Sequence, residues 1–140
     1  MTSAEARVVQ PGEPAPDFTL AAVQRDGTVS LADYRGRSPV LLAFFRGIWC
    51  PFCRRQIAKL GLAQDKLRAA GVETLAVVAS PLARTRLYFQ YRPTRIPLAV
   101  DPDLASHRAF GIPRYPMTPE VRDSLRRVKI DAMGLNSDGR

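Results

Sequence analysis

The sequence predicts an α/β domain built on a mainly parallel sheet flanked by helices, with an N-terminal β-hairpin. Three observations carry that prediction. Strand-type and helix-type patterns alternate through the middle of the chain, as the crossover units of a parallel sheet require. Two apolar runs, "SPVLLAFF" and "VETLAVVAS", lack polar alternation and read as strands covered on both faces. The 140 residues, 46% of them apolar, suit one domain that can bury roughly two-thirds of its unfolded surface.

Residues 1–16 are polar and hold Pro11, Pro14 and Pro16, which predicts a loose arm. "DFTL" (17–20) and "TVSL" (28–31) are short β-type runs around Asp26-Gly27, a good hairpin turn. The strand "SPVLLAFF" follows. A helix then starts near Cys50 and runs to about Ala70, stopped by Gly71; Ile57, Leu60, Gln64 and Leu67 fall at helical spacing. "VETLAVVAS" (72–80) is the next strand. Pro81 to Tyr91 reads as a helix opened by proline and ended at Arg92-Pro93. "IPLAVD" (96–101) is a short strand, and "DLASHRAFG" a short helix closed by Gly111. Residues 112–140 are the least defined. Thr118-Pro119 opens a last helix there, with Val121, Leu125 and Val128 at i, i+4 and i+7. No internal repeat divides the chain, so residues 1–140 form a single domain.

The formal net charge is +8, and 18 of the 21 basic residues are arginine. These are scattered from Arg7 to Arg140, with doublets only at Arg54-Arg55 and Arg126-Arg127. No basic run is interleaved with aromatics, so the charge reads as solvated surface, and no nucleic-acid partner is expected. The N-terminus lacks the apolar core of a secretory signal, and the run Val40 to Phe45 is too short to span a bilayer. No membrane association is expected, and the expected compartment is the cytoplasm. There, two thiols are more often catalytic or metal-binding than a structural staple.

Those two thiols stand together in "FFRGIWCPFCRRQ" (44–56), beside the only tryptophan. The motif sits where a strand turns into a helix, and in open α/β sheets ligands bind beyond the carboxyl ends of the strands. Cys50 falls at or just before the first helical turn, Pro51 at the first helical position and Cys53 within the turn. Exposed helix-start N–H groups and the dipole can lower a thiol pKa from about 8.5 to roughly 3.5–7.5. Arg46, Arg54 and Arg55 add positive field, although the last two can simply point to solvent. Cys50 is therefore expected to be the accessible nucleophile and Cys53 the shielded resolving thiol of a two-step exchange. Zinc is disfavoured, because the chain offers only these cysteines and His107 toward about four ligands. His107 itself lies in a polar helical context and is expected on the surface. Trp49 reads equally well as a hydrophobic lid beside the thiol and as a half-buried strand-end aromatic.

The stretch "PGEPAPDFTLAAVQRDGTVSLADYRGRSPVLLAFFRGIWCPFCRRQIAKL" resembles the AhpC/TSA peroxiredoxin-like family of the thioredoxin-like superfamily. "PGEPAPDFTL" and "VSLADYRG" look like that family's approach to its reactive strand, and "WCPFC" like the dithiol motif of thioredoxins and glutaredoxins. The resemblance covers about residues 11–111. It implies a thioredoxin-like fold, peroxide or disulfide reduction, and a cysteine thiolate working with no organic cofactor. Three departures stand out. Ala43 and Gly47 occupy the positions of the family's proline and its threonine or serine, so the peroxide-binding hydroxyl is missing. Phe44 stands where thioredoxins bury a carboxylate. The later strand pair and closing helix are not found before "MGLNSDGR", which implies a shortened C-terminal end and an open sheet edge. The hairpin at 17–31, residues 130–140 and a second protomer are the candidates to cover it. Pro116, after Tyr115, is the candidate for the family's substrate-facing cis-proline, although an ordinary trans proline before the Thr118 cap is the simpler reading. Arg114 and Arg122 are stand-ins for the family's downstream arginine.

The expected function is a thiol-dependent antioxidant oxidoreductase that reduces peroxides or protein disulfides through Cys50 and Cys53, with Trp49, Arg46, Pro51 and Pro116 in support. The first half of the chain favours a peroxidase, while the dithiol and missing hydroxyl favour disulfide exchange. A dithiol reductant, thioredoxin- or glutaredoxin-like or a small thiol, would close the cycle, and a homodimer is one expected state. Two other classes compete: a redox-sensing binding protein whose disulfide switches a docking surface, and a basic adaptor for an acidic partner.

Overall fold

The computed structural model describes residues 7–113, 116 and 118–132. Its strands are β1 (Thr19–Ala22), β2 (Thr28–Ser30), β3 (Val40–Phe45), β4 (Glu73–Val78) and β5 (Leu98–Val100). Its helices are α1 (Pro51–Ala69), α2 (Leu82–Tyr91), α3 (Ala105–Ala109) and α4 (Pro119–Ala132). The strands form one mixed sheet in the order β2-β1-β5-β4-β3. β3, β4 and β5 run parallel, with Phe45 opposite Val78 and Val78 opposite Val100, so their carboxyl ends finish level. That common end is where the dithiol segment leaves β3.

The strand buried on both faces is β4, whose Leu75 to Val78 are wholly inaccessible. β3 is not, which corrects the reading of "SPVLLAFF": none of its six residues is buried, and Leu41 is 40% exposed. The physical reason is position. Among the described residues no strand pairs with its outer side. The carbonyls of Pro39 and Phe45 accept the N–H groups of Glu73 and Ala79 at 3.0 and 3.3 Å. The odd-numbered residues therefore turn their peptide groups toward β4, and Val40, Leu42 and Phe44 turn theirs outward.

The N-terminal hairpin does not cover that edge. Gly27 (φ +89°) supplies the left-handed turn the Asp26-Gly27 pair predicts, and β1 then pairs antiparallel with β5 at the opposite side of the sheet. Arg86 of α2 fixes it there by donating to the carbonyls of Val23, Ala22 and Arg25 at 3.1, 3.0 and 3.0 Å. The Gln24 side chain adds a clasp, donating to Ile96 O and accepting from Leu98 N. After β2 the chain enters a 3-10 turn (Leu31–Tyr34) where the sequence pattern extended the strand. Asp33 accepts the Ser30 N–H at 2.9 Å, which ends the extended run.

α1 and α2 cover one face: Ile57 and Phe89 pack with Ala76, Val78, Leu98 and Val100. Gln64, which interrupts the apolar stripe of α1, is buried and donates to Arg95 O at 3.0 Å. The other face holds Val29, Leu75 and Ala99 under Phe18, Tyr34 and Leu42. α3 lies on that side, with the Phe110 ring 5.1 Å from Phe44. Of the arm, residues 7–16 are described, and its inner part runs against the end of α3. Val9 N–H donates to Phe110 O, and Gly111 passes the backbone of Arg7 and Val8 closer than any Cβ would allow. α4 contacts α1. The apolar stripe expected on α4 lies outside the described side chains at Leu125 and Val128, and Val121 is exposed. Of residues 130–140, only the end of α4 is described.

Candidate dithiol site

The site grows from the end of β3. Residues 46–49 carry the chain to Cys50, whose backbone is extended (φ −90°, ψ 117°) and which serves as the N-cap of α1. Pro51 takes the first helical position, where its missing N–H is not required. The Cys50 carbonyl accepts the Arg54 N–H at 3.1 Å, and its N–H donates back to Gly47 O at 3.1 Å. This turn folds residues 47–50 over the helix start. Cys50 is consequently only 3% exposed and Cys53 only 6%. The expectation of an accessible Cys50 beside a shielded Cys53 is thus corrected: both thiols are covered.

Both cysteines are free thiols, and the two side chains are hydrogen-bond partners. Burial pushes the Cys53 thiol above its ordinary value. The N–H groups of Gly47 and Arg46, which point at its sulfur, oppose that rise, and the Cys50 sulfur reinforces it. Cys53 therefore keeps its proton at neutral pH.

Trp49 is 60% exposed, with the Arg46 guanidinium 4.9 Å over its ring in a cation–π contact. The indole Nε1 closes over Gly47, where an added Cβ would collide with it and lie 2.8 Å from Ser80 Oγ. Arg54 lies over the Tyr88 ring at 5.9 Å instead of projecting to solvent. Pro116 is exposed and accepts the Thr118 N–H at 3.0 Å; Tyr115 and Arg114 lie outside the described residues. Arg122 is exposed on α4.

Two groups near the site drew no functional weight from the sequence. His107 is not a surface residue. It is half-buried, with Nε2 3.3 Å from Phe45 O and its ring edge-on to Phe44 at 4.9 Å. Burial lowers its pKa against the opposing pull of the Phe45 carbonyl and Asp101. Ser80 is buried at the end of β4 and accepts the Ile48 N–H at 3.1 Å. No local pattern marks either contact, because each joins residues distant in sequence.

A reactive strand feeding a two-thiol helix start is the arrangement the family resemblance implies. The AhpC/TSA family matches residues 11–127. The chain belongs to the AhpC/TSA family. Among its relatives, the thiol-disulfide oxidoreductase ResA of Halalkalibacterium halodurans is 26% identical over 133 residues, 94% of this chain and 74% of that one. A Mycobacterium tuberculosis protein provisionally named a peroxiredoxin is 31% identical over 102 residues; these are 72% of this chain and 63% of its own length. The chain thus spans less than two-thirds of that relative. A crystal structure provisionally titled as the thiol:disulfide interchange protein DsbE from Chlorobium tepidum superimposes with a TM-score of 0.67 at 25% identity, covering 90% of this chain and 99% of that one. The fold is thioredoxin-like, and these relatives place this AhpC/TSA member among the oxidoreductases. Among the described residues, no helix is long and apolar enough to cross a membrane.

Proposed function

We propose that this protein is a thiol-disulfide oxidoreductase that reduces protein disulfides through Cys50 and Cys53, with peroxides as slower substrates. The observation that supports it most is the hydrogen-bonded pair of free thiols at the N-cap and first turn of α1. Cys50 is the nucleophile. Its thiolate attacks one sulfur of the substrate disulfide, the second sulfur leaves as a thiolate, and a mixed disulfide on Cys50 results. Cys53 then gives up its proton to the departing thiolate, attacks the Cys50 sulfur and releases the reduced substrate. Two electrons have moved to the substrate and a Cys50–Cys53 disulfide remains. A dithiol reductant, thioredoxin- or glutaredoxin-like, or a small thiol in excess, restores the pair. The cytoplasm, which keeps such a pair reduced, is the compartment proposed.

Disulfide exchange is favoured over peroxide reduction because no hydroxyl can stand at Gly47. The indole of Trp49 and the Ser80 hydroxyl already occupy that space. The test is stopped-flow oxidation of the reduced protein by an unfolded-protein disulfide and, separately, by hydrogen peroxide. The disulfide is expected to react faster at equal concentration. A peroxide reaction near the diffusion limit would reverse the substrate assignment, and full activity in a Cys50→Ser variant would remove the cycle.

A further inference from the structure

The dithiol cycle does not use the buried Ser80 hydroxyl, which meets the loop that wraps the thiols. Ser80 is 2% exposed and lies two residues beyond β4. Its Oγ accepts the N–H of Ile48 at 3.1 Å and reaches within 2.8 Å of where a Gly47 side chain would begin. Ile48 is itself buried, so this hydroxyl is what satisfies its N–H.

The neighbouring peptide groups explain why that bond matters. The N–H groups of Arg46 and Gly47 point at the Cys53 sulfur, and the Gly47 carbonyl holds the Cys50 N–H. Three consecutive residues, 46 to 48, therefore direct their donors to two targets. Two donors meet the resolving thiol, and the third is fixed to the sheet by Ser80. The anchor comes from the segment just beyond β4, outside α1 and the loop itself. It sets the loop's position against the thiols from outside.

We propose that Ser80 is a positioning residue for the resolving step, holding residues 46–48 so that the Arg46 and Gly47 N–H groups stay on the Cys53 sulfur. The inference rests on the dithiol reading above. In the resolving step Cys53 must lose its proton and attack the Cys50 sulfur, while the Cys50–substrate S–S bond breaks and the leaving thiolate takes the proton. Two N–H donors stabilise the Cys53 thiolate that this step requires. A loop released from Ser80 directs them less well, and the thiolate forms at higher pH. The nucleophilic attack of Cys50, which precedes this step, does not use those two donors.

The test uses the reduced full chain and the aromatic disulfide 5,5′-dithiobis(2-nitrobenzoate), which releases one coloured thiolate when Cys50 attacks and a second when Cys53 resolves. In Ser80→Ala the first release is expected within about twofold of the parent. The second is expected about three- to tenfold slower at neutral pH, because less well directed donors leave less Cys53 as thiolate. The pH profile of the second phase moves upward. Ser80→Thr, which keeps the hydroxyl, restores the rate. An unchanged second phase in Ser80→Ala, or equal slowing of both phases, overturns the inference while leaving the dithiol cycle intact. A parent protein that releases only one thiolate overturns the cycle and this inference together.

Discussion

Cys50 and Cys53 differ by one helical turn, yet the structure treats them differently. Cys50 caps the helix with its backbone, whereas Cys53 sits under two N–H groups and beside the other sulfur. Because burial raises the Cys53 pKa, alkylation of Cys53 by iodoacetamide is expected to keep accelerating above pH 9, its ordinary value being 9.0. Mass-spectrometric labelling across pH 6–11 checks this, and a plateau below pH 9 contradicts it. The roles proposed for the pair predict that Cys53→Ser accumulates mixed disulfides with substrate while Cys50→Ser traps none. Non-reducing electrophoresis after incubation with an oxidised protein decides it; equal trapping removes the two-step exchange. Gly47 gives a third expectation. Restoring the family's hydroxyl by Gly47→Thr cannot succeed alone, because its Cβ meets the Trp49 indole and Ser80 Oγ. The substitution is expected to cost about 1–3 kcal/mol through overpacking and to leave peroxide turnover no faster. A gain in peroxide rate without loss of stability would show that the loop opens freely.

Among the elements, α3 shows how a five-residue helix is held at the carboxyl end of the sheet. Leu104 enters it in a left-handed conformation (φ 61°), uncommon for leucine, and the buried Asp101 carboxylate accepts the N–H and hydroxyl of Ser106. Burial alone would raise the Asp101 pKa, but the Ser106 hydroxyl, the Ser106 and Ala105 N–H groups and His107 together bring it below its ordinary 3.8. Its stabilisation is therefore present above pH 3.8 and is lost as the pH falls through the lower folded value. His107 acts in the same direction at higher pH. Its folded pKa is below the ordinary 6.5, so the unfolded chain takes up the proton first and stability declines as the pH drops below 6.5. Asp101→Asn is expected to cost about 1.5–3 kcal/mol at pH 7, the range for hydrogen bonds to a charged group, and to flatten the acid limb. Urea melts from pH 3 to pH 8 measure both effects, and an unchanged midpoint in the variant contradicts the assignment. The polar composition of α3 shows why His107 was misread from sequence. So short a helix has one side against the sheet, and only the Phe44 ring and Phe45 carbonyl, far away in the chain, reveal which side it is.

At the scale of the whole molecule, what the sequence showed and what it hid separate along contact distance. The helix start at Pro51, the stop at Gly71 and the turn at Asp26-Gly27 depend on neighbours a few residues away, and each was legible. Strand order depends on which strands meet, and "VLLAFF" looks the same at an edge as at a centre. The hairpin went to β5 because Arg86 and Gln24 reach it there, contacts that span more than sixty residues. Among the described residues, that leaves β3 with the outward peptide groups of Val40, Leu42 and Phe44, and a groove on each side. One groove is lined by Ala43, Phe45, Leu60 and Ala63 with Gln56 and Lys59, the other by Tyr34, Val40, Leu42 and Phe110 with Arg35 and Ser38; Leu41 borders both. An exposed apolar edge of this kind is a template for strand pairing. With the hairpin committed to the far side, a second copy is the occupant we predict. Two β3 strands running antiparallel across a two-fold axis would satisfy both rows at once and place alternate side chains over the partner's two grooves. The net charge of +8 on each copy opposes this approach, so association should strengthen as salt screens it. Sedimentation velocity over a wide concentration range is expected to show a dimer that grows with protein and with salt. Leu41→Lys, which puts a charge on the edge while replacing a side chain already 40% exposed, is expected to leave a folded monomer. A parent chain that stays monomeric at high concentration and melts cooperatively well above the mesophile range, like Leu41→Lys itself, would show that the edge is stable uncovered.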